Sequence, residues 1–373
     1  MPDTMTPRER LLATLCGEPT DRVPVSLYEI DGFTTAACPD HVSYEPIRKA
    51  ARERLDNMVF CGGGIPGPMG FLMSAGGEDL VTSETHRDGV SRVTMTRVRT
   101  PKGPLQTVSR RNPATYTTWT TEYLLKGPED VDRLLSLPYQ PAPVDVGGVR
   151  AVQETVGERG IPLVDIGDPI GAAGYLMEFQ ALLELVAFDR KRVLALLDWA
   201  LERQLHITKS LLEQGAGPLF RLVGAEFATP PYMRPDDFRA FVVEYDRPII
   251  EMIHGYGQQV RLHCHGRLRE VLDSIAELEA DGLDPVEAPP GGDIELAEVK
   301  RAIGDVICLM GNIQESMFEL ATEQELRDEV RRTLDVGAPG GRFVLMPTAT
   351  PITVPLPAHV ERNLFAYVDE ALS

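Results

Sequence analysis

From about residue 150 to its end the chain alternates strand-like and helix-like segments, and that alternation restricts the available folds more than any other feature. Apolar stretches that read as strands are "IPLVDIGD", "PLFRLVGAEF", "QQVRLHCHG", "DGLDPVEAP", "DVICLMGN" and "GRFVLMP". Helical patterns separate them, among them "RPDDFRAFVVEYDRPIIEMIHGYG", "IELAEVKRAIG" and "TEQELRDEVRRTLDVGAPG", and "HVERNLFAYVDEAL" closes the chain. Strands joined through helices run parallel. With "VPVSL" and "NMVFC" near the start the count reaches about eight, the number that closes a (β/α)8 TIM barrel. The expectation is one domain over 1–373, an α/β barrel with an N-terminal extension and a β-hairpin inserted near 88–110, where "TPKGP" interrupts apolar–polar alternation. The extension opens on a helix: Thr6 can cap it, Pro7 suits its first position, Glu9 completes a capping box and Gly17 ends it. A doubly wound open sheet is the runner-up, and its dinucleotide-binding form lacks the expected G-x-G-x-x-G after a strand.

Composition excludes some functions. The 373 residues are 43% hydrophobic and carry a net charge of −19, which disfavours nucleic acid as a partner, since phosphate binding needs a basic footprint. No apolar run approaches a membrane span, and the start lacks a signal-peptide pattern. The five cysteines are scattered without zinc-ribbon or C-x-x-C spacing. Reduced thiols and a cytoplasmic location are therefore expected.

In a barrel the active site lies at the carboxyl ends of the strands. The polar residues placed there are Tyr28, Glu29, Asp165, Asp168, Glu226, His263, His265, Glu287, Asn312, Gln314, Thr348 and Thr350. The heptapeptide "VRLHCHG" stands out. Side chains alternate along a strand, so His263 and His265 share one face and Cys264 takes the other. Glu226 and Glu287 lie on neighbouring strands. Two imidazoles and one or two carboxylates suit a zinc-like divalent ion with open positions, so Glu226, His263, His265 and Glu287 are expected as metal ligands and catalytic groups. The competing possibility is a pair of hydrogen-bonded pocket histidines that bind a substrate carboxylate. Tyr28, Asp168, Tyr232, Asn312, Gln314 and Thr348 are expected to line the substrate site. Cys264 and Cys308 read as core residues, and the Gly-rich "CGGGIPGPMG" reads as a loop over the barrel mouth.

Several segments in order, "RERLLATLCGEPTDRVPV", "GPEDVDRLLSLP", "RLVGAEFATPPYMRPDDFRAFV", "VRLHCHG", "AEVKRAIGDVICLMGNIQE" and "GAPGGRFVLMP", resemble the uroporphyrinogen decarboxylase superfamily over nearly the whole chain. That superfamily comprises the decarboxylase and cobalamin-linked methyltransferases, and the resemblance implies a (β/α)8 barrel. The decarboxylase branch carries an "RQAGR" and an "FSDI" segment. Here the corresponding regions are "SLYEIDGFTT" and "MVFCGGGIPG", so porphyrinogen decarboxylation is disfavoured. The methyltransferase branch holds zinc with H-x-C and a later cysteine. Here "HCHG" keeps the histidine as His263 and places His265 at the cysteine position, while the late segment, "MPTATPI", has no cysteine. The resemblance thus implies a corrinoid-dependent methyltransferase with nitrogen and oxygen ligands, suited to a small methyl donor or acceptor such as a methyl ether, with the corrinoid on a partner protein. The alternatives are a decarboxylase or lyase of a small carboxylic acid and a non-catalytic corrinoid- or tetrapyrrole-binding protein. An oligomer is compatible with all three.

Overall fold

The computed structural model describes residues 4–373. Seven parallel strands form the main sheet, and four antiparallel strands form a second one. In chain order the strands are β1 (Asn57–Cys61), β2 (Val81–Asp88), β3 (Ser91–Thr100), β4 (Gly103–Arg111), β5 (Thr118–Glu122), β6 (Gly160–Gly167), β7 (Leu219–Val223), β8 (Gln259–His263), β9 (Gly282–Asp284), β10 (Cys308–Ile313) and β11 (Phe343–Pro347). The main sheet runs β1-β6-β7-β8-β9-β10-β11. The segment expected as the first strand, around Val25, is a single parallel bridge to Leu345. Ser26 N donates to Leu345 O and Leu345 N to Pro24 O, both at 2.9 Å, and on the other side Asp56 N donates to Val25 O at 2.9 Å. This short segment therefore touches β11 on one side and the residue preceding β1 on the other.

Strand alternation sorts the core into two layers. Leu219, Met58, Phe60, Leu163, Met310 and Val344 pack together on the inner face, with Leu11 and Leu15 of the helix Pro7–Cys16. Phe220, Leu222, Val260, Leu262, Cys264, Leu283 and Leu309 belong to the outer layer, which packs against the helices. Both layers exclude water, so a strand can be apolar at nearly every position. The first helix has the expected ends: Thr6 caps it through Glu9 in a capping box, and Gly17, at φ 74°, sends its N–H back to Ala13 O and Thr14 O. That left-handed conformation is the one glycine adopts without a Cβ penalty.

The inserted segment is larger than expected. The hairpin placed near 88–110 is the centre of a four-stranded antiparallel sheet ordered β2-β3-β4-β5. The flanking strands escaped notice for a physical reason: β2 is exposed along nearly its whole length, so it carries no apolar alternation. The long helical stretch from Phe179 also divides, into Phe179–Phe188 and Arg190–Glu213, where Asp189 accepts from Arg192 N. Among the described residues no helix is long and apolar enough to cross a membrane.

Candidate active site

The inner face of the main sheet carries charge as well as apolar side chains. Pairing register sets Asp165 beside Arg221, Arg221 beside Arg261, and His263 beside Asp284. Arg261 and Asp284 are wholly buried. Arg261 grips Asp284 with two nitrogens: Nη2 donates to Oδ2 at 2.5 Å and Nε to Oδ1. Such a bidentate charge-assisted pair is among the stronger polar contacts. His263 Nδ1 lies 2.8 Å from Asp284 Oδ2 and 3.3 Å from the Tyr28 hydroxyl. Arg221 Nη1 donates to Tyr28 Oη at 3.0 Å, and its Nε donates to Asp165 Oδ1 at 2.7 Å. A continuous polar chain, Asp165–Arg221–Tyr28–His263–Asp284–Arg261, thus crosses the interior. Burial works against the Asp284 carboxylate, yet Arg261 and His263 hold it well below the usual carboxylate range. Burial pushes the Tyr28 phenol far above its ordinary range, so it stays protonated. Tyr28 also has a positive φ of 50°, uncommon for a bulky residue and characteristic of constrained sites.

Above this floor sit His265 and two carboxyl groups. The His263 and His265 ring centroids are 4.6 Å apart at 81°, so the two imidazoles do meet on one side. His265 Nδ1 lies 3.1 Å from Glu287 Oε2, which also accepts from Gly266 N at 3.2 Å. Burial disfavours the imidazolium, but the Glu287 hydrogen bond and charge outweigh it and raise the His265 pKa. Glu287 is likewise disfavoured by burial, and its pairing with His265 brings it below the ordinary value. Burial pushes the Glu29 carboxyl up to about 7, against the pull of Arg221, whose Nη1 is 3.9 Å away. Each histidine engages a carboxylate through Nδ1, and neither Nε2 has a hydrogen-bond partner among the described residues.

The other expected site residues divide. Glu226 lies within electrostatic reach of His265, but its Oε2 is buried without a partner beside the buried acids Asp168 and Asp246. Asp168 is wholly buried and caps the helix Pro169–Leu176, with Oδ1 accepting from Gly171 N at 2.6 Å. Burial and Glu226 push its pKa up to about 8, while the Gly171 hydrogen bond acts the other way. Asn312, Gln314 and Thr348 act on the backbone. Asn312 Nδ2 donates to Val286 O at 3.1 Å, Gln314 Nε2 to Ala288 O at 3.4 Å, and Thr348 Oγ1 accepts from Glu315 N at 3.1 Å. Tyr232 is largely exposed and meets Phe179 edge-on at 5.0 Å.

The four expected ligands do not form one set. Among the described residues no three His, Cys, Asp or Glu side chains converge as a metal site. Glu287 turns Oε2 to His265 Nδ1 and the Gly266 amide. Cys264 is wholly buried in the outer layer, and burial followed by the nearby carboxylates raises its thiol pKa far above normal. These donors do not fit a thiolate-rich zinc centre, which needs deprotonated sulfur. Cys264→Ala removes only a small core group. It is expected to cost roughly 1 kcal/mol and to leave activity near normal, as checked by denaturant melts and turnover.

Arg221, Arg261 and Asp284 were not singled out as site residues from the sequence. A signal existed in "FRLV" and "VRLH", where an arginine interrupts an apolar strand at the equivalent position of consecutive strands. A buried guanidinium requires a partner, and the register supplies it.

The uroporphyrinogen decarboxylase (URO-D) family model matches residues 117–370. Among curated proteins, the methylcobamide:CoM methyltransferase MtaA of Methanosarcina barkeri is 26% identical over 206 residues, which is 55% of this chain and 57% of that protein. The chain therefore spans less than two thirds of the length of that relative. Among solved structures, a methyltransferase from Methanosarcina mazei aligns over 99% of this chain and 100% of that chain at 19% identity, with a TM-score of 0.62, a likeness of fold.

Proposed function

We propose that this chain, which belongs to the uroporphyrinogen decarboxylase family, is a methyltransferase that moves a methyl group between a small oxygen-bound donor and a corrinoid on a separate protein. Its fold in this reading is a (β/α)8 barrel with Pro24–Ser26 as the eighth stave, and the reaction takes place at the carboxyl ends of the strands. The observation that carries the proposal is the His265–Glu287 pair, in which Glu287 favours the protonated ring and Nε2 is open, above a fixed polar floor, in a chain similar to MtaA.

The chain's own residues would handle the proton. Breaking a methyl–oxygen bond leaves an alkoxide or phenoxide that needs a proton, and His265 Nε2–H is the donor. Glu287 favours the charged ring and orients it through Nδ1. His263, pinned by Asp284 and Tyr28, orients the substrate oxygen through its own Nε2. The donated proton leaves with the product, and His265, about one third exposed, takes a new one from solvent between turnovers. The corrinoid supplies the nucleophile that accepts the methyl group. No step is assigned to zinc, since among the described residues no three His, Cys, Asp or Glu side chains converge.

The alternative, a decarboxylase or lyase of a small carboxylic acid, draws support from the arginine pair Arg221 and Arg261 on the inner face. Each guanidinium is already engaged by a carboxylate, Asp165 and Asp284 respectively, which favours the first reading. The test is incubation with cob(I)alamin and a panel of methyl ethers, alcohols and thioethers, following methylcobalamin by absorbance. Methylation from an oxygen-bound donor is expected. Carbon dioxide release from small carboxylic acids with no methylcobalamin from any donor would replace this function with the second.

A further inference from the structure

The inserted antiparallel sheet carries charge of the opposite sign to the rest of the molecule. Residues 81–122 hold seven Lys and Arg against three Asp and Glu, in a chain of net charge −19. Three of these arginines form a row. Arg87 on β2 is directly opposite Arg92 on β3, and Arg92 is directly opposite Arg111 on β4. Residues directly opposite in an antiparallel pair share a face about 5 Å apart, where like charges are destabilising. Three of the other four cations are relieved: Arg97 pairs with Glu84 at 3.4 Å, Arg110 with Asp88 at 2.7 Å, and Arg99 donates to Asp79 O at 2.7 Å. None of the three in the row has a carboxylate at ion-pair distance among the described residues, and Arg111 lies 5.4 Å over the Tyr116 ring. Together with Thr85, His86, Val90 and Pro113 they line a groove of about 590 Å³.

We infer that the Arg87–Arg92–Arg111 row is a docking site for an acidic face of another protein. A row of guanidiniums that repel one another is accounted for when carboxylates complete it. Arg87 and Arg92 are exposed on an open sheet face, which suits side chains of a partner surface better than an enclosed small anion. Charge complementarity also favours this orientation, because the rest of the chain carries a net negative charge. The sheet is tied beside the barrel mouth: Tyr116 N donates to Ile352 O at 2.9 Å, Val354 N to Ala114 O at 3.0 Å, and Tyr116 Oη to Ala36 O at 2.6 Å. A protein docked on the row is therefore held on the side where the strands end. The inference stands on the sheet alone and does not depend on methyl transfer.

The test is fluorescence anisotropy with a fluorescein-labelled polyglutamate peptide as the acidic probe, and sodium pyrophosphate as a small-anion competitor. Wild type should bind the peptide, and more weakly as salt is raised to about 0.15 M. The Arg87→Gln, Arg92→Gln, Arg111→Gln triple variant should bind at least ~10-fold more weakly and melt no lower than wild type, since repulsion is removed. Arg150→Gln, an exposed arginine on a helix outside the sheet, should bind as wild type does. Equal binding by wild type and triple variant, or no binding by wild type, overturns the inference. So does tight pyrophosphate binding without peptide binding, which would make the row a small-anion site.

Discussion

His265→Gln is expected to lower methyl transfer by about 10²–10⁴-fold, the range for a lost general acid, while changing stability by no more than about 1 kcal/mol. The stability figure is small because the His265 side chain is about one third exposed and Glu287 is partly exposed, so solvent screens their attraction. Glu287→Gln should give a different signature. It removes the hydrogen bond and charge that raise the His265 pKa above 6.5, so that pKa falls. An acid works only while protonated. Wild-type activity should thus persist below the raised His265 pKa and decline above it, and in Glu287→Gln the decline should begin at lower pH. The stability of the pair follows the same signs. The His265 contribution is complete below 6.5 and lost as pH rises through the folded value. The Glu287 contribution is present above 4.5 and lost as pH falls through its lowered value. The pair therefore stabilises most between 4.5 and 6.5. Rate profiles against pH and a ¹⁵N titration of the His265 ring test this together. A variant at 265 that keeps its rate within threefold, or an alkaline limb that Glu287→Gln leaves unmoved, would remove His265 from the proton-handling role.

The sequence shows what is periodic and hides what depends on pairing. The parallel strands were recognisable because burial on both faces makes them apolar runs, as in "VLMP" of β11 or "ICLMG" around β10. The shared side of His263 and His265 followed from the period of two, although β8 ends at His263. Partners across strands did not follow, because they depend on register. Asp284 and Glu287 are two strand-end acids in one segment; only the fold shows that the first holds His263 and the second His265. Of the carboxylates expected on a shared ion, Glu287 meets the His265 Nδ1, while the acid on His263 Nδ1 is Asp284, which the sequence did not single out. Exposed β2 was missed for another reason: with solvent along the strand, nothing selects an apolar alternation. The segment "VPVSL", counted as a strand, is reduced to the single bridge of Val25 to Leu345.

Asp284→Asn is expected to cost about 3–5 kcal/mol of folding stability, the penalty for leaving one member of a buried pair uncompensated. The amide keeps the shape and removes the charge. Arg261, with no solvent exposure, would retain its positive charge beside a neutral side chain. The His263 ring would lose the carboxylate at Nδ1 and with it the fixed tautomer, so activity should fall with stability. A second variant separates the two effects. In Arg261→Met, Asp284→Leu both charges leave together, and replacement of a buried ion pair by apolar side chains of similar volume is often neutral or stabilising. Most of the lost stability should return, while activity should stay low because His263 remains unanchored. Burial raises the Asp284 pKa, but Arg261 and then His263 lower it further, and the net shift is downward. Its contribution is therefore present above 3.8 and lost only as pH falls through a folded value far below that. Denaturant unfolding at neutral pH, with turnover measured alongside, decides the matter. An Asp284→Asn protein within 1 kcal/mol of wild type, or a double variant less stable than the single one, would mean that this buried pair does not hold the inner face of the main sheet. Loss of stability in the single variant, its recovery in the double, and low activity in both would identify Asp284 as the residue that joins the core of the fold to the orientation of His263.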